Sequence, residues 1–285
     1  MAFEQSMRNR SRRGTRPGLT LLELIVVLTI LVALAGILVP LLPNLFVQAD
    51  NATEATQFGE LAKAIQTYQA TTMGYPNNFD LLTDGSKFPA YLPPTGGAAF
   101  AGWVEAKTLT AAELSALTAA GIQYVQPLAT DTTPQGFDCT LNPYPNTTLT
   151  ANQVDLTTSA ASSEVFAVID PTTNVNVINN TMTFLQTLIA ADPTARYVVF
   201  GVGARCSLVG QSIQEAPVAV PHTRTFTPAT NYSRFGVIFK VSGTEIARLG
   251  QARYVTACSL EDDGLETTPG DIAQYWQIAQ PMKGQ

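Results

Sequence analysis

The nineteen residues from Leu24 to Leu42 constrain this chain more than any other feature. Sixteen are apolar, only Thr29, Gly36 and Pro40 interrupt them, and no charge appears again until Asp50. As a helix the run would be about 28 Å long, close to the thickness of a bilayer's hydrocarbon core, so a transmembrane span over 24–42 is expected. One residue before it stands Glu23. An unpaired carboxylate in hydrocarbon costs a few kcal/mol, and something must answer that charge.

Charge sets the orientation. Of the sixteen Lys and Arg, five (Arg8, Arg10, Arg12, Arg13 and Arg16) lie before Gly18, with Glu4 the only acid there. The positive-inside rule then keeps residues 1–18 in the cytoplasm and sends the chain after about Leu42 outward. The chain beyond Gly18 carries eleven bases against twenty-one acids, which gives it no electrostatic reason to seek nucleic acid. With 285 residues, 46% of them apolar, the protein can bury a real core.

Three readings of the N-terminus compete. A cleavable secretory signal would use Ala33-Leu34-Ala35 before Gly36, yet apolar residues continue past that site and Glu23 would have no role. A twin-arginine variant drawn from Ser11-Arg12-Arg13 lacks apolar character in the adjoining Gly14-Thr15-Arg16. A plain single-pass anchor explains span and orientation but neither Gly18 nor Glu23. Cleavage after Gly18, by contrast, places a new α-amine on Leu19, with Glu23 four residues on and on the same helix face. Such a pair is a device for fixing register between identical subunits.

A basic leader ending in Gly, then an apolar residue, Thr, two apolar residues, Glu and an apolar helix, resembles the processing site of type IV pilins and type II secretion pseudopilins. The resemblance implies Gly18 as the last leader residue and Leu19 as the first mature residue, cleaved and N-methylated by a prepilin peptidase. It implies Glu23 as the carboxylate that engages a neighbour's amine during assembly, and Pro40 as the helix-kinking proline. Leu19 departs from the usual Phe. The partners implied are the peptidase/N-methyltransferase, other pilin-like subunits, membrane lipid, and an inner-membrane assembly platform with its ATPase. The early Glu argues against the large tip pseudopilin, which lacks it.

Physics gives Pro40 its own meaning: its ring removes the N–H that would bond the Gly36 carbonyl, and Gly36 is a poor helix former. The segment from Gly36 to Pro43 should bend or unwind. Beyond it, Phe58, Leu61, Ala62, Ile65 and Tyr68 recur at helical spacing, while Asp50, Glu54, Glu60 and Lys63 point elsewhere. Leu19 to Met73 as one helix would be about 80 Å long, a stalk; the alternative is two helices separated at Pro40 to Pro43.

From Gly74 the chain is mixed. Gly74 to Gly85 reads as turn, short extended piece and turn. Thr110 and Glu113 make a capping box ahead of Leu114 to Ala120, closed by Gly121. Further helices are expected over Met182, Phe184, Leu185, Leu188 and Ile189, and from Thr268-Pro269 through Trp276. Strands are expected over Gln123–Leu128, Val165–Ile169, Tyr197–Val202, Phe235–Val241 and Tyr254–Leu260. Ala129 to Thr158 and Glu215 to Ser233 read as surface loops. The expected organisation is a leader over 1–18, a stalk helix over 19–73, and a globular head over 74–285. The fold class is α+β: a long hydrophobic N-terminal helix packed on a head with a largely antiparallel sheet.

Catalysis finds no nucleophile pattern or metal spacing. His222 is the only histidine and lies in a Pro- and Thr-rich loop, so the chain is read as a non-enzyme. No cofactor is expected. Glu261, Asp262 and Asp263 could offer hard oxygen ligands to Ca²⁺ but lack spaced ligands, and a solvated acidic turn is the simpler reading. Cys139, Cys206 and Cys258 would face an oxidising compartment. Cys206 with Cys258 is the favoured disulfide, three reduced thiols the alternative. The function expected is a processed structural subunit of a type II secretion pseudopilus or type IV pilus, held in the inner membrane with its head outside; the other reading is a membrane-anchored binding protein that never polymerises.

Overall fold

The computed structural model describes residues 21–39, 42–89, 91–92, 104–128, 153–173, 189–218, 232–261 and 264–267. The chain divides into two compact units, Met1–Ala49 and Asp50–Gln285.

In the first unit, α1 runs over Leu21–Leu38. The Val39 N–H still donates to the Ala35 carbonyl at 2.9 Å, and there the helix stops; α2 starts at Leu42 and runs to Thr72. The single stalk helix expected from the sequence is therefore corrected: α1 ends at Leu38 and α2 begins at Leu42, with residues 40 and 41 outside the described ones. A proline at position 40 has no N–H to give the Gly36 carbonyl, which disfavours a continuous helix through this segment. Pro43 then falls in the first turn of α2, where a missing N–H costs nothing. With 18 residues α1 is about 27 Å long. Among the described residues no helix is long and apolar enough to cross a membrane.

The second unit is built on a sheet. Its described strands are β1 (Phe79–Asp80), β2 (Glu105–Thr108), β3 (Tyr124–Gln126), β4 (Val154–Asp155), β5 (Val165–Ile169), β6 (Tyr197–Gly201), β7 (Gly236–Lys240), β8 (Arg253–Glu261) and β9 (Gly264–Thr267). The main order is β4-β3-β1-β6-β7-β8-β9, with β2 and β5 forming a side branch. The branch arises at β6. One edge pairs fully with β7, while the other is shared by β5 at 197–199 and by β1 at Gly201. β1 and β3 run parallel, and the other pairs are antiparallel. The largely antiparallel sheet expected is thus corrected to a mixed one, curled like half a barrel.

Both faces of the central strands are covered. Phe166, Val168, Val198, Phe200, Val237 and Phe239 enter one buried cluster, and Ala167, Ile169, Tyr197, Val199 and Ile238 alternate into the other. On the first face the C-terminal part of α2 lays down Phe58, Leu61, Ala64, Ile65 and Tyr68, all buried, with Glu60 and Lys63 exposed opposite. This is the expected stripe, except that Ala64 rather than Ala62 is buried. Burying each large apolar side chain stabilises the fold by about 1.5–3 kcal/mol. Phe58 meets Phe235 edge-on at 5.0 Å, and Phe79 stacks with Phe200 at 5.7 Å. Helix α3 (Ala111–Ala119) adds Leu114 and Leu117 to this face and starts on the expected capping box. The second face is covered by Leu82, Tyr91, Leu92, Val104, Leu128, Ile189 and Tyr232. Helix α4 (Thr244–Leu249), which the sequence pattern does not announce, joins β7 to β8. Of the helix expected around Met182–Ile189 only Ile189 is described, buried and helical. The helix expected from Thr268 lies outside the described residues.

Candidate functional site

The residues the sequence singles out at the N-terminus are described only in part. Gly18, Leu19 and Pro40 lie outside the described residues; Glu23 sits in the first turn of α1, and Gly36 in its last. A carboxylate in a first turn faces the partial positive charge of the helix N-terminus, which stabilises it by about 0.3–1 kcal/mol when exposed. That is a local reason for Glu23 independent of any partner. A Cβ at Gly36 would meet nothing within 4 Å beyond the helix's own backbone, so no close packing there requires a glycine.

What α1 offers is apolar surface on every side. Leu21, Leu22, Leu24, Ile25, Val26, Val27, Leu28, Ile30, Leu31, Val32 and Leu34 are each between 47% and 76% exposed, successive residues around the whole circumference. Thr29 donates its hydroxyl to the Val26 carbonyl at 2.8 Å, so its one side-chain donor is satisfied within the helix. Ile25, Leu28, Thr29, Val32 and Ala33 line a shallow apolar recess. Soluble proteins rarely leave so large a contiguous apolar surface in water.

The body holds three polar centres, of which the sequence pattern marked only the Thr110–Glu113 capping box. In the first, Tyr232 donates its hydroxyl to the Asp80 carboxylate at 2.6 Å, both residues being fully buried. Burial and the neighbouring Asp80 charge push the Tyr232 hydroxyl well above its ordinary pKa, so it stays a donor. Two glycines clear the space: a Cβ at Gly201 would collide with the Tyr232 hydroxyl, and one at Gly203 with the Asp80 carboxylate. The Gly-Val-Gly at 201–203 after an apolar run was the available signal.

The second centre is Asp192. Its carboxylate accepts from Lys240 Nζ at 3.1 Å, from the Thr244 N–H and hydroxyl at 3.0 Å each, and from the Thr194 hydroxyl at 2.9 Å. It thereby caps α4 from another segment, because the α4 N-cap is Gly243, which has no side chain to do so. Burial alone would push this acid up, but the hydrogen bonds from Lys240, Thr194 and Thr244 outweigh it and hold the pKa at about 2. Glu245 lies 3.7 Å from the same ammonium and pairs with Arg253. Tyr197, buried beside Asp192 and Glu245, is pushed up to about 12 by burial and by these charges.

In the third centre Arg196 bonds Glu113 at 2.7 Å and approaches Asp170 at 3.3 Å, while Lys107 bonds Asp170 at 3.1 Å and also pairs with Glu105. Burial opposes charge on Asp170, and bonds from Thr172 and Lys107 overcome it and lower its pKa. Glu113 also accepts from the Thr110 N–H at 2.8 Å, so one carboxylate closes the capping box and ties α3 to the start of β6.

The remaining sequence candidates do not converge on a site. Cys206 and Cys258 are both free and buried, in the clusters on opposite faces of the sheet, so the favoured disulfide is corrected. Burial pushes both thiols well up, which keeps them protonated and unreactive. Cys139, His222, Asp262 and Asp263 lie outside the described residues, and of Glu261 only its place at the end of β8 is described. Among the described residues no three His, Cys, Asp or Glu side chains gather as metal ligands. No family model, curated protein or solved structure matches the chain.

Proposed function

We propose that this chain is a prepilin-type structural subunit, processed after Gly18 and assembled through its apolar N-terminal segment into a type II secretion pseudopilus or a type IV pilus. The observation that carries the reading is α1, an apolar helix exposed around its whole circumference and bearing one acid, in its first turn. A helix apolar all round is stable only when buried, in lipid or among other helices. Before assembly the inner membrane holds the segment, with residues 1–18 cytoplasmic and the body outside. In the filament, neighbouring copies replace the lipid, and Glu23 pairs with the Leu19 amine of a neighbour to set register. The body has no catalytic role in this account; its polar centres serve its own stability. The peptidase/N-methyltransferase, the assembly platform and its ATPase are the other partners.

The test is Glu23→Ala in cells that carry an assembly machine, followed by shearing of filaments and by membrane fractionation. Loss of the subunit from filaments with retention in membranes supports the register role. Undiminished incorporation overturns that role, and absence of wild-type protein from every filament fraction favours an anchored, non-polymerising binding protein.

A further inference from the structure

We draw no further inference here: the strongest candidate outside α1, the Lys240, Asp192 and Glu245 side-chain cluster at the N-terminus of α4, has its central carboxylate filled by four donors of the chain itself, so it closes a helix cap and leaves nothing to hold a ligand or to react.

Discussion

Met73 adopts φ 61° at the end of α2, although Gly74, the residue better suited to the left-handed region, is next to it. The reason is a close approach: a Cβ at Gly121 would lie 2.9 Å from the Gly74 Cα, and one at Gly74 would lie 3.3 Å from the Gly121 Cα. Gly74 is spent on that contact, and the strained turn falls to Met73, whose side chain is 92% exposed. Met73→Gly should therefore raise the unfolding free energy by up to about 1 kcal/mol in denaturant titration, with no packing lost. Gly201→Ala should do the opposite, costing about 1–3 kcal/mol by forcing Tyr232 away from Asp80. Asp192 gives a pH signature. Its pKa falls from the ordinary 3.8 to about 2 on folding, so its stabilising contribution is complete about a unit above pH 3.8 and is lost as pH falls through about 2. Asp192→Asn should flatten the acid limb of a thermal-stability profile over that interval; an unchanged slope would show that the carboxylate is not held by Lys240 and Thr244. None of these three positions was legible beforehand, because each depends on which distant segment arrives beside it.

At the scale of elements, legibility followed burial. Strands β5, β6 and β7 match expected runs because most of their residues are apolar and alternate into two buried clusters, and β8 and the middle of β3 match through the apolar residues they contribute to the same clusters. β1 and β4 have two residues each, and β2 reads Glu-Ala-Lys-Thr on an edge with its charges tied into ion pairs, so none carries a hydrophobic period. The parallel pairing of β1 with β3 is a choice of partner, which local pattern does not encode. The α3 capping box was legible because its two residues are three apart and bond each other. Thr110→Ala should cost about 1 kcal/mol. Glu113→Ala should cost more, since it also strips Arg196 of its buried partner. At the helix break the sequence located the weak point but the single-stalk expectation overrode it. Pro40→Ala should join α1 to α2 and raise helicity by circular dichroism in detergent, whereas unchanged helicity would mean that the break has another cause.

For the whole molecule, the two units have opposite needs. The described residues of the second unit bury their apolar side chains in two clusters on either face of the sheet. The first unit contains α1, whose exposed apolar surface is unexplained in water and explained by lipid or by other copies. This division makes processing the central claim, since the cleavage proposed after Gly18 would remove five arginines and leave an α-amine on Leu19, four residues before Glu23. The most direct measurement is the N-terminal residue and intact mass of membrane-extracted protein from cells containing a prepilin peptidase. The account predicts a chain that begins at Leu19 and carries one added methyl group. A chain beginning at Gly36 or still carrying Met1 would contradict it.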